Sequence, residues 1–307
     1  IKENENYILF RNFVIYKKKI LGEGSFTKTL LGYDYEKEED VAIKFSKLNY
    51  KISPLVVESS ILQKLEKIKG FPKYKAMFKY NNLDFVIETL LGPDLKKIFD
   101  FYKQPFDISS ICQIGIKVLI KLEALHKINI LHNDLKLSNL AWGTINNGKI
   151  ENKRDIFLLD FGLASTYNYI NDDNCCKKKN SYYKKFYNNV EANNNIKGNL
   201  KFMSKQVLLG KNPNPQTELE SFIYLIIYLL KNTLPWAGIK GKNYEDKKMK
   251  IIHCHQKIKN EILCKGLPYQ IIFIYNDIIG LKKKEKPKYK YYQKILEDLI
   301  YLTEFKT

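Results

Sequence analysis

The stretch "ILHNDLKLSNLAWG", Ile130–Gly143, sets one His, one Asp, one Lys and two Asn between apolar flanks. Two readings compete: an Asn-rich surface turn, or a catalytic loop in which Asn133 stands where an arginine is usual. Residue chemistry alone favours the second. Asp134 can take a proton from a hydroxyl nucleophile, Lys136 can stabilise developing negative charge, and Asn139 offers a hard oxygen donor. His132 is expected to brace the loop. Downstream, a strand-like "IFLL" leads into "DFG" at Asp160–Gly162, whose carboxylate is a second hard oxygen ligand suited to Mg²⁺.

Upstream, "LGEGSFTKTLLG" (Leu21–Gly32) is a glycine turn between two strand-like runs. Gly22 and Gly24, with Glu23, Ser25 and Phe26 between and after them, would let the backbone approach phosphates closely, although the third position of G-x-G-x-x-G is Thr27. Then "VAIK", Val41–Lys44, ends a strand on an inward-facing lysine that needs a partner if buried. Glu58, on the amphipathic stretch that follows, can pair with it and hold it against the α- and β-phosphates of ATP.

Glycine loop, VAIK, H-x-D-x-K-x-x-N and DFG in this order resemble a eukaryotic protein kinase. The chain is more narrowly similar to the casein kinase 1 group. "LLGPDL" (Leu90–Leu95), "HNDLKLSNL", "GNLKFMS" (Gly198–Ser204), "ELESF" (Glu218–Phe222), "TLPWAGIKG" (Thr233–Gly241), "LCKGLP" and "KPKYKYYQKIL" carry that likeness, over Phe13 to Leu302. Vaccinia-related kinases, a sister family, share "SNL" and the Gly-x-x-x-Phe-x-Ser pattern.

The resemblance implies an α+β, bilobal Ser/Thr kinase dependent on ATP and Mg²⁺, with acidic or phosphorylated protein substrates and a cytoplasmic or nuclear location. Asp134 and Lys136 would be catalytic and Asn139 and Asp160 would bind metal. Leu21, Gly22, Glu23, Gly24, Ser25, Phe26, Ala42, Lys44 and Glu58 would hold the nucleotide, with Leu21 and Ala42 as the adenine ceiling. Either Glu88 or Thr89 lies beside the adenine. Residues 1–89 would form the small lobe and 90–307 the large one.

Several positions depart from the pattern. Thr27 should stiffen the glycine loop. Pro215 and Gln216 fall where the group usually places basic residues that receive a primed substrate's phosphate, and Glu218 replaces the aspartate that anchors the catalytic loop. The segment between DFG and "GNLKFMS" is longer than in the family. Asn133 cannot supply the charge with which arginine grips a phosphorylated activation loop, so activity without loop phosphorylation is expected. A catalytically impaired scaffold is the rival reading.

With 307 residues, 45% of them hydrophobic, the chain can bury a sizeable core across about two units. Period-two runs at Phe13–Leu21, Thr29–Tyr33, Val41–Phe45, Met77–Tyr80 and Leu83–Glu88 predict an antiparallel sheet, interrupted by a helix over Pro54–Lys69. Helical periods follow at Ile108–His126, Glu218–Lys231, Lys247–Glu261 and Tyr291–Leu302. The Lys-, Asn- and Tyr-rich tract between Ala164 and Gly198 is expected to be a mobile loop.

A net charge of +19 opposes self-association, so a monomer is expected, and it attracts acidic partners. The lysines are spread along the chain and no nucleic-acid recognition motif is present, so nucleic acid is not an expected partner. The cluster Lys282–Lys290 reads as a solvated face. Five cysteines without framework spacing fit a reducing compartment, and His253-Cys254-His255 with Cys264 lacks the C-x-x-C that a tetrahedral metal site would need. The most apolar run, Phe222–Leu230, is too short for a membrane span and reads as a buried helix.

Overall fold

The computed structural model describes residues 2–24, 27–47, 53–102, 106–146, 149–167, 198–282 and 285–304. Contacts divide it into two compact units. The first holds the chain up to Leu95 together with Ser138–Ala164, and the second holds Lys96–Leu137 and the described residues from Ser165 onward. The division read from the sequence, between 89 and 90, gives 90–95 and 138–164 to the other side. The expected mobile tract lies mostly at 168–197, outside the described residues, as do Ser25 and Phe26 of the glycine loop.

Unit 1 is a seven-stranded antiparallel sheet in the order β1-β2-β3-β4-β5-β7-β6. Its strands are β1 (Lys2–Glu3), β2 (Tyr7–Phe10), β3 (Phe13–Glu23), β4 (Thr27–Asp34), β5 (Glu39–Ser46), β6 (Tyr74–Tyr80) and β7 (Leu83–Thr89). The alternation at Phe13, Ile15, Val41, Ile43, Phe85 and Ile87 turns one set of side chains to a common core, to which Ile8 and Phe78 are added. The outermost strands also meet: Phe10 of β2 stacks on Phe78 of β6 at 4.0 Å, and the Tyr80 hydroxyl bonds Glu3 of β1.

Helix α1 (Pro54–Lys64) is launched by Ser53, whose hydroxyl accepts the Leu55 N–H, with Pro54 in the first turn. It ends at Lys64 rather than at Lys69, and the chain then turns through Gly70 at φ 92°. Hairpin β9 (Leu140–Asn146) and β10 (Lys149–Leu158) belongs to this unit because β9 bonds the segment after β7. Trp142 N–H donates to Pro93 O at 3.0 Å and Ile145 N–H to Leu90 O at 2.9 Å. The approach is so close that a Cβ on Gly92 would lie 2.0 Å from the Trp142 carbonyl oxygen.

Unit 2 is helical: α2 (Leu95–Tyr102, whose first residue belongs to unit 1), α3 (Ile108–Lys127), α4 (Lys205–Leu208), α5 (Pro215–Lys231), α6 (Tyr244–Lys257), α7 (Asn260–Cys264), α8 (Tyr269–Gly280) and α9 (Tyr289–Glu304). Two short strands, β8 (Ile130–Leu131) and β11 (Ser165–Thr166), pair antiparallel. A Cβ on Gly115 of α3 would touch Leu296 of α9 at 3.0 Å and Ile226 of α5 at 3.2 Å, so these three helices pack where α3 has no side chain. The single helix expected over Lys247–Glu261 is two. It starts early because Asn243 caps Asp246 N–H, and it breaks where Ile258 adopts extended backbone at φ −74°, ψ 130°. Among the described residues no helix is long and apolar enough to cross a membrane.

His255 on α6 lies against Trp236, ring centroids 3.7 Å apart, and its Nε2 is buried without a hydrogen-bond partner. Burial, helped by the charge of Lys205, pushes its pKa down to about 4. The folded protein therefore binds fewer protons here than the unfolded chain, whose histidine titrates near 6.5. Stability from this site is complete above about pH 6.5 and falls toward pH 4, by at most about 3 kcal/mol. Urea melts at pH 7 and pH 5 should show His255→Leu losing less stability than the natural chain between the two values. An equal loss would refute the assignment.

Candidate active site

In unit 1, β3 and β4 carry the glycine turn, closed by Gly24 N–H donating to Thr27 O at 2.9 Å. The fold does not itself demand glycine here. Among the described residues a Cβ on Gly22 would meet nothing within 4 Å, and one on Gly24 only Thr27, at 3.6 Å and beyond. On β5, Ala42 is buried and faces Glu88 in the β5–β7 register, while Lys44 faces Val86. Leu21 and Glu23 are exposed at the mouth of the turn, where Glu23 pairs with Lys47 at 2.5 Å.

Lys44 is 7% exposed, and its ammonium has two carboxylate partners: Glu58 Oε1 of α1 at 2.6 Å and Glu88 Oε1 of β7 at 2.9 Å. Burial alone would make Lys44 lose its proton easily, but Glu58, Glu88 and Asp160 outweigh it and hold the ammonium charged. Burial pushes Glu58 up, to about 7, with Lys44 pulling against it and the like charges of Glu88 and Asp160 adding to it. Glu58 Oε1 also accepts the Phe161 N–H at 3.4 Å, which ties the helix to the DFG turn. Asp160 itself sits at φ 69°, a left-handed conformation that Asp and Asn tolerate best among side-chain-bearing residues. Asn139 is buried, and its carbonyl accepts the Leu159 N–H at 3.1 Å, which fixes it beside the strand that leads to Asp160.

Unit 2 carries the other part of the loop. Asp134 is 6% exposed; its Oδ2 accepts from Lys136 Nζ and its Oδ1 from the Asn199 N–H at 3.2 Å. His132 is fully buried, and its Nδ1 accepts the Asp134 N–H at 3.3 Å. Beneath them Glu218 of α5 accepts the Asn133 N–H at 2.7 Å through Oε1 and bonds His126 Nε2 at 2.6 Å through Oε2. Burial pushes the Glu218 carboxyl up, yet the hydrogen bond and charge of His126, with His132 and the Asn133 N–H, hold it below the ordinary range.

A family model described as "Protein kinase domain" matches residues 15–270. The chain belongs to that family. The curled antiparallel sheet of unit 1 and the helices of unit 2 are the α+β kinase fold. Within this kinase domain Lys44, Glu58, Asn139 and Asp160 gather in unit 1, and Asp134 and Lys136 in unit 2.

Three kinase-domain features escaped the sequence reading. Glu88, which the sequence offers only as a neighbour of the adenine, lies diagonally across from Lys44 on the same face in the β5–β7 register. The Asn133 amide, at φ 64°, donates to Ser165 Oγ of β11 at 2.8 Å, a tie across 32 positions that no local sequence signal announces. Gln216 donates through Nε2 to the carbonyls of Ile278 (3.1 Å), Ile279 (3.3 Å) and Leu281 (2.9 Å), so it caps the end of α8. No local sequence signal announces that last contact, which joins residues more than sixty positions apart.

Proposed function

We propose that this kinase transfers the γ-phosphate of ATP to serine or threonine hydroxyls of acidic or phosphorylated proteins, in the manner of the casein kinase 1 group. The formed Lys44–Glu58 ion pair is the observation that carries the reading. It keeps a charged ammonium fixed where a nucleotide's phosphates need it, and phosphoryl transfer depends mostly on such positioning. A glycine turn left bare at Gly22 and Gly24 suits close backbone approach of those phosphates.

In the transfer, the acceptor hydroxyl oxygen forms a bond to the γ-phosphorus as the bond to the β-phosphate oxygen breaks, and ADP leaves. Asp134 takes the hydroxyl proton, oriented for it by the Asn199 N–H and Lys136, while Lys136 stabilises the charge on the moving phosphoryl group. Asn139 and Asp160 are an amide and a carboxylate, hard donors that suit Mg²⁺, which when bound would neutralise phosphate charge.

The direct Asn133–Ser165 bond supports activity without a phosphorylated activation loop. Pro215 is buried at the start of α5 and Gln216 is engaged with α8, which supports recognition of acidic peptides without a priming phosphate. The net charge of +19 favours such acidic substrates and opposes self-association.

The test is transfer of labelled γ-phosphate to casein and to acidic serine, threonine and tyrosine peptides, primed and unprimed, before and after phosphatase treatment of the enzyme. Serine and threonine peptides should be labelled and tyrosine peptides not. Unprimed peptides should match primed ones within about twofold, a difference worth less than about 0.5 kcal/mol. Loss of activity on phosphatase treatment would refute the role given to Asn133.

A further inference from the structure

Lys44 is one ammonium buried among more than one carboxylate. One ammonium faces Glu58 at 2.6 Å and Glu88 at 2.9 Å, and Asp160 acts on it as a third negative charge. Glu58 fixes Lys44 and also receives the Phe161 N–H, so its position is accounted for. Glu88 has no comparable role. It is 2% exposed, its Oε1 touches Lys44, and its Oε2 is buried with no hydrogen-bond partner. A buried carboxylate with an unpaired oxygen is costly to keep, so its presence calls for an explanation.

We propose that Glu88 is an internal rival of the nucleotide for Lys44, a residue that sets nucleotide affinity by holding the ammonium until phosphate oxygens displace it. The inference rests on the kinase reading above, in which Lys44 binds phosphates. Its physical basis is simple competition. Lys44 already has Glu58 on one side, and Glu88 occupies a further direction of its three donors. An incoming polyphosphate therefore meets an ammonium whose charge and donors Glu88 already shares, and it must compete with that contact and tolerate an uncompensated like charge nearby. Glu58, by contrast, is the support against which Lys44 remains fixed throughout.

The experiment measures dissociation constants for ATP and for adenosine by calorimetry, at fixed Mg²⁺, on the full chain carrying Glu88→Gln or Glu88→Met. Gln keeps the shape and removes the charge, and Met removes the polar atoms as well, so a folding defect in one variant leaves the other. Thermal melts identify folded protein. Both variants should bind ATP about tenfold more tightly, the scale of one unit charge acting through a partly screened interior. Adenosine, which lacks phosphates, should change by less than about twofold. Unchanged or weaker ATP binding, or equal tightening for adenosine, would overturn the competition while leaving the kinase reading intact. Absence of ATP binding in the natural chain and in both variants would overturn the two together. Binding by the variants alone would be the strongest form of the proposed effect.

Discussion

Asp134→Asn is expected to reduce phosphate transfer by about 10²- to 10⁴-fold, the range a general base contributes, with the loss in kcat rather than in the KM for ATP. The amide has the same shape and can still accept the Asn199 N–H now bonded to Oδ1. It cannot take the acceptor's proton, and it releases Lys136 from its ion pair. Because the side chain remains and its surroundings in unit 2 are otherwise kept, the melting temperature should stay within a few degrees. The measurement is labelled phosphate incorporated per enzyme, natural chain against variant, with a melt of each. Equal incorporation by both would remove Asp134 from the chemistry; a natural chain with no incorporation would be the scaffold of the rival reading.

Glu218→Ala should be the most damaging single substitution for stability in unit 2. Glu218 is 4% exposed, and its two oxygens hold His126 and the Asn133 N–H, while the Tyr289 hydroxyl of α9 bonds the other ring nitrogen of His126. Deleting the carboxylate leaves a buried imidazole and a buried N–H without their partner. Breaking a buried pair of this kind costs about 3–5 kcal/mol. A chain of this size should show that as a melting temperature lower by roughly ten degrees, together with a fall in kcat, since Asn133 adjoins Asp134. Glu218→Asp tests the alternative that any carboxylate suffices. If Ala melted within two or three degrees of the natural chain, about 1 kcal/mol, the anchor would have been overrated.

How far the sequence could be read depended on the range of the interaction. The Lys44–Glu58 pair followed from a strand lysine and a helix glutamate fourteen residues apart, and the structure forms it. The five strands from Phe13 to Thr89 followed from period-two burial, because each residue's exposure is set by its own position on the pleat. Hairpin β9–β10 was reduced to "IFLL" because Lys149–Arg154 is polar and its pairing shifts register between Glu151 and Ile156. Glu88 and Gln216 could not be interpreted from neighbours at all. Their partners are supplied by sheet register and helix packing across 44 and more than sixty positions, and local patterns carry no information about such distances.

The meeting of β1 and β2 with β6 makes the sheet of unit 1 nearly a closed stave ring. The family match begins at residue 15, yet Ile8 contributes to the core and Phe10 covers Phe78. A chain begun at the first matched residue would lose β1, β2 and the first two residues of β3, leave the backbone of Ile15 and Tyr16 without its β2 partners, and uncover the Phe78 ring. The region shared with the family and the region that builds this sheet thus begin at different residues. Residues 7–10 cover that edge of β3 and the Phe78 ring, and any shortened version would have to replace the cover.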